Sequence, residues 1–182
     1  MIRAVILYED AAAGQPVAFG PHRLVMQCLA DRLGQPAWDL GRVVLGQPKK
    51  GNTQVRRACR DGRLYDASRI VIAVYDDDQV RRMLGLPAGT CTRKIGDALR
   101  TESPAAGRLR VVLLQRNMEA LVRVVRECRG LTSPGVRKPS PTERDQVLAS
   151  VTDPSRRHDR ECVLRAMPSF AYLVDKLTAA LA

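Results

Sequence analysis

The stretch Arg69-Ile70-Val71-Ile72-Ala73-Val74-Tyr75-Asp76-Asp77-Asp78 contains the clearest strand of the sequence, and it ends abruptly in three acids. A nearly continuous run of β-branched and apolar residues is typical of a strand that is buried on both faces, as in a parallel sheet. The run Arg3-Ala4-Val5-Ile6-Leu7-Tyr8 has the same character and also ends in acids, Glu9 and Asp10. We therefore predict two buried strands that each place carboxylates at their carboxyl ends.

Helical patterns separate these two strands from two further ones, a weak strand at 42–45 and a clear one at 109–114. Strands that alternate with helices predict a parallel sheet flanked by helices. The predicted fold is therefore α/β and Rossmann-like, with a mostly parallel four-stranded sheet and a helical C-terminal tail. The helices that we predict between and after the strands span 21–33, 53–61, 79–84, 91–101 and 118–129.

Residues 130–140, rich in Gly, Pro and Ser, are the best linker candidate in the chain. Only helical patterns follow, at 141–151, 156–166 and 168–181. We predict a core domain of residues 1–130 and a helical C-terminal extension of residues 131–182 that packs on the core.

The charge balance indicates a polyanionic partner. Thirty Lys and Arg against 19 Asp and Glu give a net charge of +11, and phosphate contacts supply most non-specific affinity for nucleic acid. A basic loop at 46–52 and the helix after it carry the predicted nucleic-acid-binding residues, Lys49, Lys50, Arg56 and Arg57. The alternatives are that these residues form a solvated basic face and that the charge excess serves solubility.

The cysteines and the hydropathy pattern predict a cytoplasmic protein. The five cysteines lie about 30 residues apart without zinc-site spacing, and the odd count favours reduced thiols. No apolar run has the roughly 18 residues that a membrane span needs, and no leader peptide precedes the first strand. The chain also contains no phosphate-binding loop of the GxxxxGK[ST] type.

The acidic strand ends predict a metal site. Parallel strands finish at one edge of the sheet, and in a flavodoxin-like order the first and third strands are neighbours. Glu9, Asp76 and Asp78 would then lie within reach of one Mg²⁺ (or Mn²⁺), which prefers hard oxygen ligands, while Asp77 points elsewhere. The alternative for Asp78 is a helix N-cap.

A glutamate after the first strand and the pattern Asp76-Asp77-Asp78 after a later strand resemble the Toprim pattern. The Toprim fold occurs in topoisomerases, primases and overcoming-lysogenization-defect nucleases. The resemblance covers roughly residues 2–125 and, more specifically, points to a small bacterial Toprim-like family of unknown function. The chain departs from the pattern at Asp10, where Toprim proteins usually have a glycine. The motifs shared with the small family are, in order, Lys49-Lys50-Gly51, Arg116-Asn117-Met118-Glu119-Ala120 and Pro168-Ser169-Phe170.

The resemblance implies Mg²⁺-dependent cleavage of nucleic-acid phosphodiesters. Asp76 and Asp78 would carry the metal, and Glu9 would be a further ligand or the general acid/base. Glu119 is a fourth candidate ligand, with a role as an acid in the first helical turn as the alternative. Arg116 is a candidate for stabilising charge on the phosphate. The resemblance also makes an ATPase partner in a bacterial defence system plausible.

Two alternative functions stay open at this point. A non-catalytic Toprim-like subunit would bind nucleic acid or a partner protein through the basic surface. A receiver-like phosphoacceptor switch would also place acids around Mg²⁺, but the sequence shows no fifth strand that ends in the lysine such sites use. His22 begins a helix, and His158 is predicted to lie on a polar helix surface with Arg160. Neither histidine has a credible Cys or Ser partner, so we do not predict nucleophilic catalysis.

Overall fold

Four strands form one parallel sheet in the computed structural model, which describes residues 1–10, 19–115, 117–131 and 138–182 without the side chain of Asp78. The order across the sheet is β2-β1-β3-β4, and all three pairings are parallel. The predicted α/β class, a parallel four-stranded sheet flanked by helices, is confirmed. The strands are β1 (Ile2–Tyr8), β2 (Val44–Pro48), β3 (Ser68–Asp76) and β4 (Leu109–Leu114).

The helices of the described residues alternate with the strands and then continue alone to the C-terminus. They are α1 (Gly20–Leu33), α2 (Ala37–Leu40), α3 (Asn52–Cys59), α4 (Gly62–Asp66), α5 (Asp77–Met83), α6 (Thr92–Thr101), α7 (Met118–Cys128), α8 (Pro141–Ala149), α9 (Arg157–Ala166) and α10 (Pro168–Leu181). None of these described helices combines the length and the apolar character that crossing a bilayer requires.

The contacts of the chain fall into two compact units. The first comprises the described residues of Met1–Ala11 and Arg42–Asn117, and the second those of Ala12–Gly41 and Met118–Ala182. The units are groups of residues that contact one another, and they do not test independent folding. The domains predicted from the sequence, 1–130 and 131–182, therefore stay a prediction.

The core of the first unit lies on one face of the sheet. Side chains two apart along a strand share a face, and Val71, Ala73 and Tyr75 of β3 are all buried on this one. Val55 of α3 and Val80 of α5 pack against them. The first turns of both helices therefore lie at the carboxyl edge of the sheet, since each helix follows its strand closely.

The strand order has a switch point between β1 and β3. Strand β2 lies on the outer side of β1, and β4 lies on the outer side of β3. Ligands of open α/β sheets bind outside the carboxyl ends of the strands at such a switch point.

The strand β2 is longer than the sequence predicts. It runs from Val44 to Pro48, so Gly46 and Gln47 belong to the strand and the predicted loop at 46–52 shortens to Lys49–Gly51. A proline is tolerated there because β2 is an edge strand. The short helices α2 and α4 are absent from the prediction, since four or five residues show little periodicity.

The described residues of the second unit contain helices and no strand, and its C-terminal helices follow the predicted ones with slightly different ends. Residues 132–137 of the predicted linker lie outside the described residues. The expectation of reduced thiols is wrong for one pair, because a disulfide joins Cys128 of α7 to Cys162 of α9. These helices pack together and bring the two Cα atoms to 5.8 Å, within the range that a disulfide spans.

Candidate active site

Glu9 and Asp76 meet at the carboxyl ends of the neighbouring strands β1 and β3. The register pairs Tyr8 with Val74, so both strands end at nearly the same height. The carboxylate Oε2 of Glu9 accepts a hydrogen bond of 2.9 Å from the backbone N–H of Asp76. The structure thus brings together the two acids that the sequence places at the ends of the first and third strands.

Asp76 occupies the N-cap position of α5, yet its side chain makes no capping hydrogen bond. An aspartate at this position usually accepts a hydrogen bond from the second or third helical N–H. The residue is buried, with 8% exposure. The alternative of Asp78 as the N-cap is wrong, because Asp78 lies inside α5. Its side chain is outside the described part.

Asp77 has a separate, structural role. Its carboxylate lies 2.6 Å from Nη1 of Arg81, one turn further along α5. The same guanidinium donates a hydrogen bond of 2.7 Å to the backbone carbonyl of Asp77. Asp77 therefore stabilises the first turn of α5 through Arg81.

The loop Lys49–Gly51 ties the start of α3 to the end of β1. The N–H of Lys49 donates to the carbonyl of Tyr8 at 2.8 Å, and the N–H of Gly51 donates to the carbonyl of Glu9 at 2.5 Å. The backbone turns sharply here, with φ of 58° at Lys50 and 115° at Gly51. Glycine adopts such angles freely, since it has no Cβ.

Asn52, the first residue of α3, is a site residue that sequence reasoning missed. Its side chain is buried, with 7% exposure, and neither its Nδ2 nor its Oδ1 has a hydrogen-bond partner among the described residues. The sequence shows an asparagine after Gly51 but carries no signal of burial at that position.

A basic cleft runs along α3 and α4. It has a volume of about 390 Å³ and is lined by Lys49, Gln54, Arg57, Ala58, Arg60, Asp61 and Arg63. Arg60 is paired with Glu102 at 2.7 Å, and Arg63 lies 4.0 Å from Asp61. Lys49 and Arg57 have no ion pair within the described ranges. Two of the predicted nucleic-acid-binding residues therefore line the cleft, while Lys50 is exposed in the adjoining loop.

Arg56, the remaining predicted nucleic-acid-binding residue, is held by Glu102. Its Nε donates to Oε2 at 2.8 Å and its Nη2 donates to Oε1. These hydrogen bonds from Arg56, followed by those from Arg60, lower the pKa of Glu102 to about 2. Arg56 is thus held in an ion pair with Glu102 and is not among the residues that line the cleft.

Two predicted site residues are not placed at this edge by the described structure. Glu119 lies in the first turn of α7 in the second unit, and its carboxylate is 2.5 Å from Nζ of Lys138. Arg116 lies outside the described residues. The roles predicted for both stay predictions.

The described Asp, Glu, His and Cys side chains contain no cluster of three or more that would hold a metal ion. Burial raises the pKa of Cys28 to about 12 and that of Cys59 to about 11, so both stay protonated thiols at neutral pH. Burial also lowers the pKa of His22 to about 4. Of the predicted metal ligands, the described structure brings Glu9 and Asp76 together, and Asp78 follows Asp76 by two positions.

Comparison with known proteins finds no family model and no curated protein that matches this sequence.

Proposed function

We propose that this protein is a Mg²⁺-dependent nuclease that cleaves nucleic-acid phosphodiesters at the carboxyl edge of its sheet. The observation that carries the proposal is the hydrogen bond between the Glu9 carboxylate and the Asp76 N–H at the switch point. The basic cleft supports it, because Lys49 belongs both to the cleft and to the loop that is bonded to the end of β1.

The donor set fits Mg²⁺. This ion keeps several waters and is usually bound through one or two carboxylates together with substrate phosphates. Glu9 and Asp76 would supply two such carboxylates, since the Glu9 carboxylate lies at the Asp76 backbone, and Asp78 is the proposed third. Bound Mg²⁺ would neutralise the phosphate and orient the attacking water.

The side chains of the protein would bind and position the substrate. Lys49 and Arg57, which are free of ion pairs in the described structure, would hold the nucleic-acid backbone along the cleft. Glu9 would serve as a further ligand or as the general acid/base. The roles predicted from the sequence for Arg116 and Glu119 stay predictions.

The proposed partners and location follow from the sequence. A basic chain with a Toprim-like pattern is expected to bind nucleic acid in the cytoplasm, with an ATPase or another protein as a partner in bacterial defence. The Cys128–Cys162 disulfide is more typical of oxidising compartments, so the redox state of this pair in the cell tests the proposed location.

The proposal is tested by incubating the protein with plasmid DNA and total tRNA in the presence of Mg²⁺ or Mn²⁺. We expect metal-dependent cleavage that falls about a hundredfold or more in Asp76→Asn and Glu9→Gln, because each change removes a negative ligand from the metal. The matched control is Asp66→Asn in α4, where an exposed carboxylate is removed from the same unit.

Two outcomes would replace the proposal. Tight nucleic-acid binding without cleavage under any metal would favour the non-catalytic subunit, for which the basic cleft is the supporting observation. Mg²⁺ binding that requires Asp76, together with phosphorylation of an aspartate and no cleavage, would favour the receiver-like switch.

A further inference from the structure

Asn52 is a polar side chain that the fold itself leaves without a partner. Its amide is more than nine-tenths buried, and both its donor and its acceptor lack hydrogen bonds within the described residues. Buried polar groups of native proteins are nearly always paired. An amide left in this state is therefore expected to have a partner that is not part of the chain.

The position of Asn52 places its amide at the N-terminal end of α3. Side chains of a helix lean towards its N-terminus, and Asn52 is the first of the eight residues of α3. No side chain caps this end, since Gly51 occupies the N-cap position. The first backbone N–H groups of the helix and the Asn52 amide therefore share one small region.

We propose that Asn52 and the N-terminus of α3 form a subsite for a phosphate group, which, in the proposed nuclease, belongs to the nucleic-acid substrate. This inference rests on the proposed function for the identity of the ligand only. Nδ2 donates to a phosphate oxygen, and Oδ1 accepts from a hydroxyl or water carried with the phosphate.

The surrounding charges favour an anion. The N-terminus of a helix carries a partial positive charge and unpaired N–H groups, both of which suit phosphate. The first turn of α3 contains no acidic residue, and Lys49 and Lys50 precede it in the chain.

The same loop connects the subsite to the carboxylate pair. Gly51, which precedes Asn52, donates its N–H to the carbonyl of Glu9. A phosphate bound at Asn52 therefore lies next to the loop that holds the Glu9 end of the candidate active site. The subsite would position one phosphate of the strand while the basic cleft holds others.

The test compares two aspartate variants in buffer with EDTA, where no cleavage takes place. Asn52→Asp introduces a carboxylate of the same size into the subsite, and Thr53→Asp introduces the same charge at the exposed next residue. The probe is a fluorescein-labelled single-stranded DNA 12-mer, measured by anisotropy at low salt. We expect Asn52→Asp to weaken binding about tenfold or more, which is the loss expected for a charge-assisted hydrogen bond, and Thr53→Asp to weaken it much less.

Equal losses in the two variants would overturn the proposal, because they would show only the long-range effect of one added charge. Asn52→Leu is the second variant, in case Asn52→Asp fails to fold, and it should weaken binding without changing the net charge. Unchanged binding of the DNA 12-mer by Asn52→Leu would also overturn the proposed subsite.

A titration with inorganic phosphate and with a nucleoside monophosphate distinguishes the sources of the phosphate. We expect both to shift the NMR signals of the Asn52 side-chain NH₂ group. Absence of any shift would show that the amide binds an ordered water only, and would overturn the proposal. All these measurements exclude metal, so their failure and a failure of metal-dependent cleavage are separate results.

Discussion

The carboxyl edge of the sheet and the surroundings of Arg160 both contain buried polar groups, and the two regions differ in how these groups are hydrogen-bonded. The Arg160 guanidinium has a full set of acceptors, whereas the Asn52 amide has no partner among the described residues. Arg160 in α9 is fully buried. Its Nε and Nη2 donate to the Asp31 carboxylate at 2.6 and 2.9 Å. Its remaining N–H groups reach the carbonyls of Val151 and Asp153 at 2.7 Å and of Pro154 at 3.3 Å. Each of the five guanidinium donors therefore has an acceptor.

At the carboxyl edge of the sheet, by comparison, the buried side chain of Asn52 lacks hydrogen bonds within the described residues. Asn52 is as deeply placed as many core residues, yet both of its amide atoms lack partners in the described structure. A buried polar group whose hydrogen bonds are complete stabilises the fold, whereas a buried group with open positions calls for an explanation. The Arg160 cluster is therefore structural, and the open Asn52 amide supports the proposed phosphate subsite.

The largest expected effect is on the structural cluster. Arg160→Met removes the donors for the Asp31 carboxylate and for three carbonyls, and should lower the free energy of unfolding by about 3–5 kcal/mol, as expected when one partner of a buried ion pair is lost. Urea denaturation measures the change. Arg157→Met is the control, because its pair with Glu161 is exposed, and it should cost less than about 1 kcal/mol. Similar small losses in both variants would contradict the structural assignment.

A smaller effect is expected from the Glu102 ion pairs beside the cleft. Since its pKa falls from the ordinary 4.5 to about 2 in the folded protein, the stabilisation is fully present above pH 4.5 and is lost as the pH falls through 2. Glu102→Gln should cost about 2 kcal/mol at pH 7 and should remove the part of the acid sensitivity that falls in this window.

Unfolding by urea at pH 7, 4 and 3 checks this prediction. Glu161→Gln in the second unit is the control, since that carboxylate is half exposed. A wild-type and a Glu102→Gln curve that run parallel from pH 7 to pH 3 would show that the ion pairs with Arg56 and Arg60 contribute no pH-dependent stability.

The smallest effect has the opposite sign, and it separates the two regions most clearly. Asn52→Leu replaces an unpaired buried amide with an apolar group of similar size, so the ligand-free protein should become more stable by about 1 kcal/mol. Thermal unfolding without phosphate and without metal measures it. Thr53→Leu, at an exposed position, should change little. A loss of more than about 1 kcal/mol in Asn52→Leu would mean that the amide has a structural partner after all.

The sequence predicts the strand ends well because their signal is local. The runs before Glu9 and Asp76 are continuous and apolar, and a parallel sheet sends both strands to one edge. The prediction that these two strands are neighbours rests on an assumed strand order. The structure has that order, with β1 next to β3.

Other features depend on distant residues and leave no local pattern. The polar helical stretch around Arg160 predicts an exposed surface, because its partner Asp31 lies 129 positions away and leaves no local signal. Cys128 and Cys162 are 34 residues apart and meet only because α7 and α9 pack. The burial of Asn52 and the ion pair between Arg56 and Glu102 likewise arise from packing between distant residues.

The most direct test of the account is a calorimetric titration of Mg²⁺ into the wild type, Asp76→Asn and the Asp66→Asn control. We predict binding of the ion to the wild type and to the control, and loss of that binding in Asp76→Asn with the fold unchanged by circular dichroism. Equal binding in all three proteins would place the ion elsewhere. Absence of binding in the wild type, with or without a DNA oligonucleotide, would contradict the assignment of Glu9 and Asp76 as a metal site.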